Sequence, residues 1–287
     1  MAVNHFKEFG TVAEYEAYIQ PDDYAKPLVA LVDETQTVMF PQGGGGGDCG
    51  NPILTSVDVD DFTGTTLNEG VKYITGVTIP SGVTALGTNA FYHFPFTSFT
   101  IPSGITSIGD YAFYECTSLA NVSFPSTFST FGNSVFYGCT ALTSVDLSGT
   151  SVTNIQNAVF YGCTSLTSVT FPSALTSIGD RAFYGCTALT SVDLSGTSLT
   201  TVKEGAFFAN RNYTRIDLPS TVTSIGKDAF RSRKYLTLTV RTTTPPSLGN
   251  SAIDSTVSAI YVPAESVETY KAASGWSNFA SKIQAIQ

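Results

Sequence analysis

Cysteine is the residue type whose spacing in this chain first suggests chemistry. Four of the five cysteines recur three residues after a phenylalanine, at Cys116, Cys139, Cys163 and Cys186, and they are 23 or 24 residues apart. Zinc ligands come in close pairs separated by two to four residues, so this spacing is not that of a metal site. Disulfides would need converging Cβ vectors, whereas equivalent positions in a stack point in parallel. We therefore predict buried, reduced thiols that fill the core, with neither a metal nor a cofactor.

The carboxylates Asp193 and Asp217 could form a catalytic pair. They occupy equivalent positions in consecutive repeats, so stacking would place them about 5 Å apart, as in retaining glycosidases. Arg215 would lower the pKa of both, whereas the acid of such a pair needs a raised pKa. Neither His5 nor His93 has a nucleophile at a spacing that local sequence can support. We predict no catalytic residues, and a carbohydrate-active enzyme is the alternative from another class.

Tyrosine recurs directly after the repeated phenylalanine. The candidate positions are Tyr114, Tyr137, Tyr161 and Tyr184, preceded by Tyr92. Stacked tyrosines could form an aromatic strip on the convex side, where rigid amphipathic rings suit recognition. The alternative, which we favour, is that the rings pack between adjacent turns with their hydroxyl groups in water.

A repeat of 22 to 24 residues positions all these side chains. The aligned aromatic residues are Phe91, Phe113, Phe136, Phe160, Phe183, Phe207 and Phe230. Self-similarity at this period is typical of a solenoid, in which each unit buries its apolar face against the next. A segment such as Leu166–Phe171 alternates like a strand and ends at Pro172, and Asp180 is predicted to cap a helix of one or two turns.

The outward residues of the predicted strands form two rows on a face that we expect to be concave. Concave faces are the usual binding surfaces of solenoids. This face is built of small polar residues and lacks the aromatic and arginine anchors that dominate interface energetics. We name its central members as candidates for binding a protein or glycan receptor: Ser144, Asp146, Ser168, Thr170, Ser191, Asp193, Arg215 and Asp217.

The repeat resembles the BspA-like leucine-rich-repeat family, whose units carry I-G-x-x-A-F-x-x-C-x-x-L-x-x-I/V-x-x-P. The resemblance covers roughly residues 71–287, including T-P-P-S-L-G-N from Thr244 and I-Y-V-P from Ile260. It implies an α/β repeat solenoid with a parallel sheet on one face and short helical turns on the other. Counting the middle strand residues from Val57 to Ile260 gives about ten rungs. The resemblance also implies a non-enzymatic surface or secreted bacterial protein that binds other proteins, in some members as an adhesin.

Composition excludes several classes of function. The net charge of −9 argues against nucleic acid and anionic membranes, which need a basic surface. The chain has no apolar run of 18 residues, so we predict no membrane span. The opening MAVNHFKEFG lacks the apolar region of a signal peptide, and we predict that this chain has none.

The first residues differ in style from the repeats. We divide the chain into an N-terminal attachment module at 1–42, a glycine-rich linker at 43–52, the repeat array at 53–246, and a C-terminal repeat and cap at 247–287. The N-terminal module is a small α+β unit, with helical spacing at 11–19 and a hairpin around Glu34 and Thr35. Trp276 is predicted to seal the far end of the core.

The leader also resembles N-terminal segments of gut Bacteroides phage and prophage proteins. This resemblance implies that residues 1–43 dock onto a larger assembly, and it favours a virion component over a bacterial cell-surface adhesin. The expected location is accordingly the virion surface or the bacterial cell surface. The alternative for residues 1–43 is the lid that the open N-terminal end of a solenoid requires.

Overall fold

The computed structural model describes residue 79, residues 83–210, 212–231 and 236–287, and the backbone of three earlier strands. These strands are β1 (Leu31–Val32), β2 (Thr37–Met39) and β3 (Thr66–Asn68). β1 pairs with β2 in antiparallel register, on either side of the predicted turn at Glu34 and Thr35, and β2 pairs with β3 in parallel. The predicted helix at 11–19 and linker at 43–52 lie outside the described residues, so the domain boundary stays a prediction.

Each turn of the array contains one longer and one shorter strand. The longer strands are β5 (Ser98–Thr100), β7 (Asn121–Ser123), β9 (Ser144–Asp146), β11 (Ser168–Thr170), β13 (Ser191–Asp193), β15 (Arg215–Leu218), β17 (Thr237–Val240) and β19 (Ala259–Val262). The two-residue strands are β4 (Ala85–Leu86), β6 (Ser107–Ile108), β8 (Thr130–Phe131), β10 (Asn154–Ile155), β12 (Ser177–Ile178), β14 (Thr201–Val202), β16 (Ser224–Ile225) and β18 (Ser247–Leu248). The two sets lie on separate sides of the array.

All pairings along the described array are parallel, as predicted. The longer strands pair in the orders β5-β7-β9-β11 and β13-β15-β17-β19, and β11 lies against β13. The shorter strands pair as β3-β4-β6-β8 and β10-β12-β14-β16-β18. The register aligns equivalent residues, as in Val145 beside Val169 and Ile216 beside Leu238. Eight of the predicted middle strand residues, from Phe99 to Ile260, lie in these strands, whereas Val57 and Val77 lie outside the described residues.

The third side of the array consists of turns, so the predicted short helices are wrong for this segment. Arg181 has a φ of 54°, a left-handed conformation that interrupts a helix. The backbone N–H groups bond to the next rung instead. The N–H of Phe160, for example, donates to the carbonyl of Ala182 at 2.8 Å, and the equivalent bonds of the other repeat phenylalanines are 2.7–2.9 Å long. Asp180 caps no helix, because its Oδ1 accepts the N–H of Glu204 in the next rung at 3.0 Å. Asp110 and Asn157 make the same contact with their next rungs.

The core is a set of ladders that run along the array. The rings of Phe136, Phe160 and Phe183 are fully buried and stack at 5.6 and 5.2 Å. The four repeat cysteines are buried free thiols, as predicted. Each thiol also donates a hydrogen bond to a phenylalanine carbonyl of the preceding rung, as from Cys163 Sγ to Phe136 O at 3.2 Å. Burial raises the pKa of Cys163 well above its ordinary value, which keeps the thiol protonated.

The C-terminal end is closed by a short helical cap. It comprises the 3-10 helix Ala264–Ser266, helix α1 (Val267–Ala272), a second 3-10 helix (Trp276–Lys282) and strand β20 (Ile283–Ala285), which pairs with β19. Trp276 is buried, as predicted, and its Nε1 donates to the carbonyl of Pro246 at 2.7 Å. Within the described part of the chain, no helix has the length and apolar character needed to cross a membrane.

Candidate functional site

The outward side chains of the longer strands form one regular surface, which we call the strand face. In β5, β7, β9 and β13 the outer residues are exposed and the middle residue is buried, and in β11 the middle residue is half-buried. The alternation ends in β15, β17 and β19, most of whose residues are buried. Seven of the eight candidate residues are exposed there. Asp217 is the exception, because only 3% of it is exposed. The prediction that Asp217 presents an open carboxylate is therefore wrong.

Threonine side chains beside the strand face donate hydrogen bonds to backbone carbonyl groups. Thr167 Oγ1 donates to the carbonyl of Thr143 at 2.9 Å, and Thr143 Oγ1 donates to that of Ala120 at 3.1 Å. Thr214 makes the equivalent contact at 3.2 Å. These hydroxyl groups join consecutive rungs at the position just before β9, β11 and β15. The high Ser/Thr content of this region thus has a structural cause, and it does not by itself indicate a binding site.

Asp146 and Asp193 each close a turn. Both are followed by Leu-Ser-Gly-Thr, where other rungs have a proline. Asp146 Oδ1 accepts the N–H of Ser148 at 3.0 Å and its hydroxyl at 2.7 Å, and these bonds lower the pKa of Asp146. Asp193 Oδ1 accepts the N–H of Ser195 at 2.9 Å. Hydrogen bonds from Ser195 are the main cause that lowers the pKa of Asp193, and the charge of Arg215 contributes less.

Asp217 has no such turn to close, because Leu218 and Pro219 follow it. Its Oδ2 accepts a hydrogen bond from Arg215 Nε at 2.9 Å and lies 2.7 Å from Arg215 Nη2 in the same ion pair. The Arg215 side chain is 62% exposed, whereas that of Asp217 is 5% exposed. The Oδ1 atom of Asp217 is buried and has no hydrogen-bond partner among the described residues. This carboxylate is therefore only half satisfied.

The strand register extends the row of Asp217 in both directions. Asp193 lies beside it on β13 and Thr239 on β17, and Tyr261 follows on β19. Thr239 is buried, and Tyr261 is half-buried. Sequence reasoning did not include Thr239 and Tyr261 among the candidates. The repeat alignment already contained Leu238 and Ile260. Taking the residue that follows each of these would have identified Thr239 and Tyr261.

The pair of Asp193 and Asp217 lacks the features of an acid–nucleophile pair. They are register neighbours, as predicted. However, Asp217 is held by Arg215, and the pKa of Asp193 is lowered, whereas a general acid needs a raised pKa. In the part of the chain that the structure describes, no three His, Cys, Asp or Glu residues are grouped to hold a metal ion. The arrangement is suited to hydrogen bonding.

The tyrosines after the core phenylalanines form a continuous stack. The rings of Tyr92, Tyr114, Tyr137, Tyr161 and Tyr184 follow one another at 5.0, 4.7, 4.4 and 4.5 Å, with interplanar angles of at most 8°. All five are half-buried. Burial is the main cause that raises the pKa of Tyr114 and of Tyr161. Because neighbouring rings cover each other's faces, the geometry favours the packing role, and a binding role for this stack stays a prediction.

One cleft lies at the C-terminal end of the turn side. It has a volume of about 660 Å³, and its lining includes Arg231, Asn250, Asp254, Phe279 and Lys282. Lys282 is engaged, since its Nζ donates to the carbonyl of Ser255 at 2.6 Å. Arg231 pairs with Asp228 at 3.1 Å. Both cationic side chains of the cleft, Arg231 and Lys282, are therefore already engaged in contacts within the protein.

Comparisons with known proteins agree with the repeat architecture. A family model described as BspA type leucine rich repeat region matches in six copies at residues 64–152 and 132–260. No curated protein matches the chain.

Three solved structures show the extent of structural similarity. A leucine rich repeat protein of T. pallidum is 20% identical, with 80% of this chain and 85% of that chain covered and a TM-score of 0.49. A leucine rich cell surface protein of Faecalibacterium prausnitzii is 18% identical, with coverage of 90% and 93% and a TM-score of 0.44. A leucine-rich repeat protein of Bacteroides ovatus is 18% identical, with coverage of 88% and 92% and a TM-score of 0.37.

Proposed function

Because the chain belongs to the BspA-type leucine-rich-repeat family, we propose that it displays its strand face for adhesion or receptor binding without catalysing a reaction. This is a family of structural and binding repeat proteins. The observation that carries the proposal is the regular outward presentation of polar side chains on the longer strands from β5 to β13, whose outer residues are all exposed. Solenoids commonly bind through such extended surfaces.

A display protein of this kind could be carried by a phage virion or by a bacterial cell surface. The likeness of the leader to gut Bacteroides phage and prophage proteins favours a virion component, which would present the array to a bacterial surface. The alternative is a bacterial cell-surface adhesin, which would present it to host proteins or glycans. Genes for tail or capsid proteins beside the coding sequence would support the virion, and polysaccharide-utilisation genes would support the cell surface.

A bulky charge in the middle of the strand face should weaken receptor binding. Ser168 is exposed at the start of β11, so Ser168→Arg would block the face while leaving the core intact. We expect affinity to fall by at least about tenfold, the loss of one good contact of roughly 1.4 kcal/mol. The measurement is binding of the fluorescent full chain to Bacteroides cells for a virion carrier, and to mucin-coated surfaces for an adhesin.

The matched control for this variant is Thr130→Arg. Thr130 is equally exposed but lies on β8, on the side of the shorter strands. Thermal melting should show that both variants keep the fold. Equal loss in both variants, or no loss in Ser168→Arg, would contradict binding through the strand face.

We also propose that residues 1–43 attach the array to a larger assembly. The pairing of β2 with β3 supports the alternative role of a lid, because it extends the sheet of shorter strands into the leader. Deletion of residues 1–47 separates the two roles. If the leader is an attachment module, the shortened chain should stay monomeric and folded by circular dichroism but should no longer co-sediment with its assembly. If the leader is a lid, the exposed end should aggregate or melt at a lower temperature.

A further inference from the structure

Asp217 is the residue of the strand face that the fold does not explain. Asp146 and Asp193 occupy the same row and close turns, whereas Pro219 follows Asp217 in place of a turn-closing serine. The corresponding positions in other proline-terminated rungs are Thr100, Ser123 and Thr170, which carry no charge. Placing a carboxylate there leaves the buried Oδ1 without a partner among the described residues, which is a cost to folding. Positions that break the local rules of a fold in this way are expected at functional sites.

The surroundings of Asp217 offer both donors and acceptors. Arg215 contributes an exposed guanidinium, two of whose nitrogens are used by Asp217 Oδ2. Asp193 contributes an exposed carboxylate in the neighbouring strand. The charge of Arg241 also acts on Asp193, so that two arginines balance two aspartates. A balanced set of this kind favours a neutral, hydrogen-bonding ligand over an ion.

An aromatic ring completes the surroundings. Tyr261 lies in the same row, two strands beyond Asp217, which is about 10 Å at the spacing of parallel strands. It is half-buried, so part of its side chain is exposed. Small-molecule sites typically combine an apolar wall with a few well-placed polar groups. A sugar ring fits such a site, because it carries an apolar face beside several hydroxyl groups.

We propose that the C-terminal part of the strand face, formed by Asp193, Arg215, Asp217, Thr239 and Tyr261, binds a neutral sugar. This inference rests on the proposed function and names the ligand class of the same face. Sugar hydroxyl groups donate to the carboxylates and accept from Arg215, and the apolar face of a sugar ring lies against Tyr261. Because Asp217 Oδ1 is buried, a sugar hydroxyl group reaches it only when the side chains around it shift on binding.

The test compares binding with stability in Asp217→Thr, using the residue found at Thr170 and Thr239 of the same row. The full chain is applied to a printed array of neutral and acidic oligosaccharides, and the retained oligosaccharide is titrated by calorimetry. We expect a neutral oligosaccharide to bind and the affinity of Asp217→Thr to fall at least about tenfold. The melting temperature of the variant should stay equal or rise, because the half-satisfied carboxylate is gone.

Two further variants sharpen the result. Tyr261→Ala should also lose sugar affinity, whereas Asp254→Thr, on the turn side, should lose its turn contacts with Thr256 and keep the affinity. The inference is overturned if no neutral oligosaccharide binds, if only acidic ones bind, or if Asp217→Thr melts earlier and binds normally. Binding to cells that depends on Ser168 but resists periodate treatment would leave the proposed function standing and remove the sugar. If the chain binds neither cells nor neutral oligosaccharides, both the proposed function and the sugar inference are overturned.

Discussion

Phe160→Ala is expected to lower the free energy of unfolding by about 3–5 kcal/mol, the usual cost of removing a buried phenylalanine. The Phe160 ring is fully buried and stacks between Phe136 at 5.6 Å and Phe183 at 5.2 Å, with a further edge contact to Phe131 at 5.9 Å. Because a solenoid is stabilised by contacts between neighbouring turns, the cavity weakens two interfaces at once. Urea denaturation followed by circular dichroism measures the change.

Two controls show whether stacking or volume is responsible. Phe160→Leu keeps much of the volume without the aromatic faces, so it should cost clearly less than Phe160→Ala. Tyr161→Ala removes the next ring along the chain, which stacks at 4.4 and 4.5 Å but is only half-buried. If Tyr161→Ala cost as much as Phe160→Ala, the core would not be organised around the phenylalanine ladder.

The phenylalanine ladder shows how much of this fold the sequence could predict. A period of 22 to 24 residues places equivalent side chains one strand apart, and burial of the aromatic position then follows because no single unit can bury its own face. The same argument correctly placed the middle strand residues, such as Val145 and Val192, in parallel strands. Periodicity sufficed because the structure repeats with the sequence.

The conformation of the turn side could not be predicted in the same way. The segment R-A-F-Y-G-C after Asp180 contains residues compatible with a helix, and Asp180 is a good N-cap residue. The structure instead places Arg181 in the left-handed region and bonds Phe160 N–H to Ala182 O of the next rung. Bonds between rungs decide the conformation, and local propensity contains no information about them.

The candidate site was predictable in position but not in detail. The alternation of the strands correctly placed Ser144, Ser168 and Arg215 on the exposed face. It could not show that Asp217 is buried, because burial depends on what lies over the side chain. Nor could it separate Asp193, which closes a turn, from Asp217, which does not, without attention to the Ser or Pro two residues later.

Glycine gives the second large effect, because it sets how closely the rungs approach. A Cβ added at Gly179 would lie 2.6 Å from the backbone carbon of Gln156 and 2.8 Å from the backbone N of Asn157. The N–H of Gly179 donates to the carbonyl of Ile155 at 2.8 Å, so the two backbones are held together at this point. Gly109, Gly132, Gly226 and Gly249 make equally close approaches to their preceding rungs. Gln156 and Lys203 occupy the same repeat position with full side chains, so sequence alone does not show which glycines are required.

Gly179→Ala is therefore expected to destabilise the array by about 1–3 kcal/mol, the usual cost of forcing an extra group into a packed site. Two of the three nearest atoms belong to the backbone, so relieving the strain requires spreading the rungs and weakening the bonds between them. Gly196→Ala is the matched control, because nothing lies within 4 Å of the added Cβ and its backbone is not left-handed. It should be neutral or stabilising by up to about 1 kcal/mol, since alanine has fewer conformations in the unfolded chain. Denaturation of both variants under identical conditions measures the difference, and equal stability of the two would show that the rungs are not in tight contact at Gly179.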